Sequence, residues 1–393
     1  MAAPGALVYV SGQIATAAPH SSDPSSMTPS YTVDASCVLN PHATGVGRYT
    51  RNLVVALDQL CAQLSQPPRI VLAYRAGQWR NRRLLPRGEH LRPQIWHKTL
   101  LPRAPRYAAV LCPEFRMPGW PGVARVGVIH DIHPVLGLNS EDRERLQRSV
   151  AALRHYVAQA DYLIFVSRYT RDEFLAHFDF PAERGAVIHH GVGPEFRPHA
   201  AAEIAAVRER HGLGRPYFLW TGMPRPSKNL GGLLRGFAAA SMPADHELVL
   251  CGDHSDEQRA ALQRDIAGLG LEQRVRLLGY VPDGDIPPLF AGARAYLFPS
   301  LHEGFGMPIL EAMASGTPVL TSSTTACPEA AGGHAVLVDP ASAEQIARGI
   351  EAVVRVDAGR IEAARAYAAT QTWAETARQT LQVMQAAAAL AKA

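Results

Sequence analysis

Pro299–Ser300–Leu301–His302–Glu303–Gly304–Phe305–Gly306–Met307–Pro308–Ile309–Leu310–Glu311–Ala312–Met313–Ala314–Ser315–Gly316–Thr317–Pro318–Val319 is the stretch on which the reading of this chain turns. Ahead of it, Ala295 to Phe298 is a short apolar run of the kind that forms a buried strand. Gly304–Phe305–Gly306 follows as a glycine-bracketed loop, with Pro308 where a first helical residue belongs. Proline there gives up an N–H that would be unpaired anyway, and its φ is already helical. Gly316 predicts a left-handed stop, after which Thr317–Leu320 resumes as a strand. Two carboxylates bracket the element, Glu303 in the loop and Glu311 in the first helical turn. Between them lies a positive helix end with free N–H groups, a seat for phosphate. The arrangement predicts a bound sugar nucleotide, its diphosphate on the helix end and a carboxylate on each sugar. A lone Gly-x-Gly is usually just a tight turn, and a first-turn glutamate usually a dipole partner. Both acids, both glycines and the proline in one strand–loop–helix are a rarer combination.

The segment resembles the signature of the family 4 retaining glycosyltransferases, whose Glu-x7-Glu pattern is met here by Glu303 and Glu311. The resemblance covers most of the chain after residue 30. It implies an α/β protein of GT-B fold: two Rossmann-like domains facing across a cleft, with a C-terminal helix crossing back to the first. It also implies that Glu303 binds donor-sugar hydroxyls and Glu311 the nucleotide ribose.

A chain of 393 residues is long for one domain, and at roughly 150 residues each two or three are expected. With 47% hydrophobic and 19% charged residues, it has the balance of a globular protein with ample core. No apolar run approaches the ~20 residues that cross a bilayer. A net charge of +4 does not by itself imply nucleic acid. Cys37, Cys61, Cys112, Cys251 and Cys327 are scattered, odd in number and without a C-x-x-C pair. They predict reduced core thiols in a cytoplasm, neither a disulfide framework nor a zinc site. Positive charge is carried almost wholly by arginine, so the three lysines, Lys98, Lys228 and Lys392, invite inspection.

Residues 1–30, rich in Ala, Ser, Pro and Thr, lack a secretory pattern and read as a disordered extension, or as the product of an upstream start codon with Met27 close to the functional beginning. Tyr31–Ser36 reads as the first strand. Asn40 to Gly47 is a turn-rich loop opening a helix with Tyr49, Leu53, Ala56, Leu57, Leu60 and Leu64 on one face. Thr44–Gly45–Val46–Gly47–Arg48–Tyr49 resembles the family's N-terminal glycine loop, which faces donor phosphates and acceptor. Read alone, Gly45 and Gly47 serve backbone geometry as readily as ligand approach, and Arg48 is as readily a solvated residue as an acceptor contact.

From Arg69 to Arg106 the chain is strongly basic, including Arg80, Arg82, Arg83, Lys98, Arg103 and Arg106, with Trp79, Leu84, Leu85, Trp96 and Leu100 interleaved. Such a run is usually a solvated surface; the apolar neighbours also suit an anionic membrane surface. No aromatic ribonucleoprotein motif accompanies it, so nucleic acid is not expected. Val110–Cys112 and Arg125–Ile129 read as strands, the second ending in His130–Asp131–Ile132–His133–Pro134. Open α/β sheets place ligands at such strand ends, although a histidine and an aspartate can equally fix a turn. The resemblance implies that His130 contacts the donor sugar, with His133 competing for the assignment. Ser140 is expected to cap a helix, Asp161–Val166 to form a strand, and Ser167 to start another helix. The expected domains are 31–193 for the acceptor and 200–371 for the donor nucleotide, with a proline-rich linker at 194–199 and a helix over 372–393 returning to the first domain.

In the second half, Tyr217–Trp220, Leu248–Cys251 and Val275–Leu278 read as strands, and Trp220 and Trp373 as core. Tyr280 and Val281 resemble the family segment that meets the nucleotide base. Lys228 opens a loop before a helix and offers a point charge to the diphosphate. The family usually has a basic residue just before this lysine, and sometimes an arginine further upstream. Ser227 and Gly222 stand at those places, with Arg225 between them as the substitute. Amide groups around Gly306, Met307 and Ile309 complete the expected stabilisation of the leaving group. Asp283–Gly284–Asp285 reads as turn and helix cap, so neither metal nor cofactor is expected. Neither strand–loop–helix unit has the full Gly-x-Gly-x-x-Gly with an acid ~20 residues on, which excludes a nicotinamide oxidoreductase. The Thr-Gly-Val-Gly-Arg-Tyr loop resembles bacterial mannosyltransferases of surface-polysaccharide assembly. That implies GDP-mannose as donor and a polyprenyl-linked glycan at the cytoplasmic membrane face as acceptor, with UDP- and dTDP-sugars open. A catalytically silent glycan-binding GT-B protein is the rival expectation.

Overall fold

Short apolar runs joined by amphipathic segments are what a parallel sheet covered on both faces requires. Two such sheets form. A computed structural model describes residues 29–40, 44–96, 107–138, 142–243 and 245–391. The first sheet holds β1 (Ser30–Asp34), β2 (Arg69–Arg75), β3 (Leu91–Trp96), β4 (Ala109–Cys112), β5 (Ala124–Ile129), β6 (Tyr162–Phe165) and β7 (Gly185–Val187). The second holds β8 (Tyr217–Thr221), β9 (Glu247–Cys251), β10 (Val275–Gly279), β11 (Ala295–Phe298), β12 (Val319–Ser322) and β13 (Val336–Val338). Their orders are β3-β2-β1-β4-β5-β6-β7 and β10-β9-β8-β11-β12-β13, with every pairing parallel. This is the doubly wound, Rossmann-like order, met twice.

In each sheet the winding reverses beside its first strand, between β1 and β4 and between β8 and β11. Ligands of open α/β sheets bind in the crevice at such a reversal. The loop carrying Lys228 follows β8 and the loop carrying Glu303 follows β11, so the second reversal brings these two segments together.

Several element ends differ from expectation for local reasons. β1 stops at Asp34 because the Asp34 carboxylate accepts the Ser36 N–H (3.0 Å) and a tight helical turn, Ser36–Leu39, begins. Asp161 stays outside β6, its carboxylate accepting the Arg125 N–H (2.8 Å). β12 starts at Val319, two residues late, since Pro318 has no N–H and the Thr317 hydroxyl is turned to the Phe290 carbonyl (2.6 Å). Ser140 lies outside the described residues, as do 1–28 of the expected extension, Lys98, Leu100, Arg103, Arg106 and Lys392. The helix after Ser140, Arg143–Gln159, is capped by Asp142, which accepts the Glu144 and Arg145 N–H groups. Asp285 does not cap; its carboxylate binds Arg210 and His211 instead.

The terminal helix, Trp373–Leu390, packs on the first helix, Gly45–Cys61, and on β4 and β5 of the first domain. Thr372 caps it by accepting the Glu375 N–H (3.2 Å). Its entry is fixed by the Val192 N–H to the Gln371 carbonyl (2.9 Å) and the Thr376 hydroxyl to the His189 carbonyl (2.8 Å). Trp220 and Trp373 are buried, as are all five cysteines, which are unpaired. Burial pushes the thiols up, that of Cys251 to about 12.

Gly191 lies where this helix docks, and a Cβ there would stand 2.1 Å from the Trp373 nitrogen. Gly191→Ala is expected to destabilise the fold by about 1–3 kcal/mol through overpacking. A melting temperature unchanged from the parent in a thermal scan would contradict this.

Candidate active site

A tight turn, Pro226–Lys228, follows β8 and ends at Asn229, which has a left-handed φ of 56°. The Asn229 amide holds that conformation by donating to the Pro299 (2.9 Å) and Pro340 (2.7 Å) carbonyls. The Ser227 carbonyl accepts the N–H groups of Leu301 (2.8 Å) and His302 (3.3 Å). The loops after β8 and β11 are thus bonded backbone to backbone. In consequence the Lys228 ammonium lies 2.6 and 2.9 Å from the two Glu303 carboxylate oxygens. The Glu303 side chain is 10% exposed, and a charge that desolvated requires such a partner.

Gly304 meets the other domain directly. Its carbonyl accepts the Ser167 (2.7 Å) and Thr170 (2.8 Å) hydroxyls, and a Cβ would sit 1.7 Å from the His130 carbonyl oxygen. The glycine is needed for close approach of two backbones. Gly306 has φ +99°, a conformation glycine adopts without a Cβ penalty, and precedes the helix Met307–Ala314. Pro308 is its second residue, and Glu311 falls in the second turn, not the first. Pro308 has no N–H and that of Ile309 is bonded to the Gly306 carbonyl (3.0 Å), which narrows the expected amide donors to Gly306 and Met307. The Phe305 ring is buried against His189 and His190, leaving only its backbone for the cleft.

Glu311 is 5% exposed, and burial pushes its carboxyl up against the pull of Arg48. The Arg48 guanidinium crosses from the first domain to bond the Glu311 carboxylate. Arg48, expected at the acceptor or membrane side, is thus paired with Glu311, the residue expected at the ribose. The Gly45–Cys61 helix that carries it is capped by the Thr44 hydroxyl, which accepts the Gly47 N–H (3.1 Å). A Cβ on Gly47 would press on the Cys37 carbonyl at 3.0 Å, so this glycine serves backbone packing, whereas Gly45 faces open space.

His130 ends β5 with its Nε2 buried and without a hydrogen-bond partner. Its ring is edge-on to Tyr49 (centroids 4.8 Å). Burial is the main cause that takes its pKa down to about 4, so the ring is neutral at physiological pH. His133 bonds across the cleft to His302 (2.8 Å). Arg225 is exposed in the loop before Lys228, Tyr280 is 66% exposed, and Val281 is buried. Arg80, Arg82 and Arg83 are on the surface of the Ala76–Leu84 turn, Arg82 stacking 4.2 Å over the exposed Trp79. Leu85 is buried and Trp96 packs edge-on against Trp120, so these two do not share that surface as expected.

Sequence reasoning missed Glu329. Its carboxylate reaches the other domain, accepts the Arg168 (2.9 Å) and Tyr169 (3.2 Å) N–H groups and bonds His189 (2.7 Å). The cap role of Ser167 was readable, but nothing local to Glu329 points to a helix end 160 residues away. Among the described residues no group of three or more His, Cys, Asp or Glu is arranged to hold a metal ion, and no helix is long and apolar enough to cross a membrane.

Residues 43–196 match the family described as Glycosyltransferase Family 4, and 215–355 that described as Glycosyl transferases group 1. O-antigen chain mannosyltransferase B of Escherichia coli is 32% identical over 262 residues, which cover 65% of this chain and 68% of that protein. The chain belongs to glycosyltransferase family 4. A serotype-specific mannosyltransferase of E. coli, WbdA, is 28% identical over 265 residues, 64% of this family 4 chain but only 32% of that protein's length. The crystal structure of Anabaena HepE in complex with UDP and glucose superposes with a TM-score of 0.70 at 18% identity, covering 91% of this chain and all of HepE. The fold of this family 4 enzyme is accordingly GT-B.

The pKa of His130, lowered from the usual 6.5 to about 4, has a stability consequence. Between those values the unfolded chain binds the extra proton and the native state does not, so stability is full above pH 6.5 and falls as pH drops towards 4. The contribution at stake is up to about 3 kcal/mol. Thermal scans from pH 7 to 5 should show a steeper loss for the parent than for His130→Asn; equal slopes would contradict the assignment.

Proposed function

We propose that this family 4 enzyme transfers a hexosyl group, mannose from GDP-mannose, to a lipid-linked or growing glycan in bacterial surface-polysaccharide assembly. Transfer retains anomeric configuration and uses no metal. The observation that carries the reading is Lys228 paired with Glu303 at the second sheet's reversal point, with buried Glu311 on the helix that follows the Glu303 loop. The two E. coli mannosyltransferases support the choice of sugar.

As the bond from the anomeric carbon to the diphosphate breaks, negative charge builds on the departing phosphate. Lys228 supplies a point charge there and the Gly306 and Met307 amides supply fixed dipoles, in a cleft that excludes water. Glu303 accepts hydrogen bonds from donor-sugar hydroxyls, Glu311 from the ribose, and the neutral His130 Nε2 from a further sugar hydroxyl. Gly45, Gly47, Gly304 and Phe305 shape the cleft with their backbones; Arg225, Tyr280 and Val281 border the nucleotide. The incoming donor competes with the Lys228–Glu303 and Arg48–Glu311 pairs, which until then keep all four charges in place. Retention follows either a front-face displacement or a carboxylate nucleophile, and acceptor attack occurs from the first domain.

In a thermal-shift panel of GDP, UDP, dTDP and ADP, GDP should raise the melting temperature most, by mass action. Glu311→Ala and Lys228→Ala should each weaken GDP binding in calorimetry; unchanged affinity in both would displace the nucleotide from this cleft. A larger shift with UDP, the nucleotide bound to HepE in its crystal structure, would replace the donor assignment. Glu303→Gln loses a charge-assisted hydrogen bond worth roughly 1.5–3 kcal/mol, so turnover in EDTA should fall about 10- to 150-fold. Parent activity abolished by EDTA and restored by manganese would remove metal independence.

Arg80, Arg82, Arg83 and Trp79 are assigned to an anionic membrane surface beside the acceptor domain. Vesicles with anionic lipid should float the parent but not a variant with the three arginines changed to Gln. Equal flotation would overturn this.

A further inference from the structure

We infer that His302 is a positioning residue that sets the Glu303 loop for transfer only while the two domains are closed. The inference rests on the reading above in which Glu303 meets the donor sugar. His302 belongs to the donor domain, yet both of its ring nitrogens are bonded to the other domain. Its Nδ1 lies 2.8 Å from His133 Nε2, and its Nε2 lies 2.9 and 3.2 Å from the two carboxylate oxygens of Glu173. Glu173 also accepts the Tyr169 hydroxyl (2.7 Å), and the Tyr169 ring faces His302 with centroids 5.8 Å apart. His133 and His302 are each 7% exposed.

One hydrogen position is fixed by the chemistry of its partner. A carboxylate only accepts, so His302 Nε2 carries the hydrogen that meets Glu173. Across the 2.8 Å contact between His302 Nδ1 and His133 Nε2 one nitrogen donates and the other accepts. His133 Nδ1 lies 3.6 Å from one Asp131 carboxylate oxygen, while the other accepts the His133 backbone N–H at 3.0 Å. His302 thus enters the first domain between His133 and Glu173. The other charged groups bearing on His133, Lys228 and Glu303, neutralise each other.

The backbone completes the argument. The His302 N–H bonds the Ser227 carbonyl next to Lys228, and the following residue is Glu303. Opening the cleft would strip both ring bonds from His302 and leave the Glu173 carboxylate without its imidazole donor. Closing it pins the peptide that presents Glu303 from the opposite side. Nucleotide contacts on the donor domain need no such closure, so binding and turnover should separate.

The test compares His302→Phe, which removes both bonds, with His302→Gln, whose amide can accept from His133 and donate to Glu173. His302→Phe should lower kcat at least tenfold while GDP affinity stays within threefold of the parent, and His302→Gln should recover most of the loss. Small-angle scattering of the full chain with GDP should give a larger radius of gyration for His302→Phe than for the parent. Ring 15N spectra of the parent should show a hydrogen on His302 Nε2. Turnover of His302→Phe within twofold of the parent, equal losses in both variants, an unchanged radius of gyration or a His302 Nε2 without hydrogen would each overturn the inference. If the parent transfers from no sugar nucleotide, the reading of its function fails, while scattering and spectra still judge the His302 contact.

Discussion

Two carboxylates taken out of water, Glu303 and Glu311, are the constraint around which the cleft is built. Each would be costly if left unpaired, and each is met by a cation from a different element. Lys228 comes from the neighbouring strand's loop, so its pair is internal to the second domain. Arg48 comes from the other domain, so its pair exists only across the cleft. The doubly wound topology explains the first without further assumption, because β8 and β11 are adjacent strands whose loops leave at the same end. The second depends on how the domains face each other.

That facing is set by polar contacts with little tolerance. The Gly304 carbonyl takes two hydroxyls from the Ser167–Thr170 turn, and Glu329 supplies acceptors to the N–H groups opening the Arg168–Leu175 helix. Helix starts have unsatisfied N–H groups by construction, and satisfying them from another domain turns a local requirement into an interdomain bond. Burial of His130 and His190 as neutral rings beside Tyr49, Phe305 and Trp373 adds a sterically defined seat under the same loop.

Much of the fold could be read from residue patterns, because buried parallel strands are short apolar runs and their ends carry glycine, proline or a capping side chain. The strand over Ala295–Phe298 and the terminal helix from Thr372 came out to within a residue or two. Misplaced ends trace to side chains that bond the backbone, as Asp34, Asp161 and Thr317 do, or to a proline. In the site, Glu303, Lys228 and Glu311 were visible through spacing and through the family pattern. Arg48 was visible but its pairing with Glu311 was not, since that partner is 263 residues away. His302 and Glu173 carried no local signal: a histidine before a glycine loop and a glutamate on a helix are ordinary until folding sets them together.

The return of the last helix to the first domain has a mechanical corollary. The chain passes between the domains twice, once through the prolines after Val192 and once at Gln371–Thr372, and these two passages lie side by side, bonded Val192 to Gln371. Two adjacent tethers act like the leaves of a door hinge and leave one easy axis of rotation, where a single linker would act as a ball joint. A rotation about that axis leaves the Val192–Gln371 bond in place and is felt most by the side chains farthest from it.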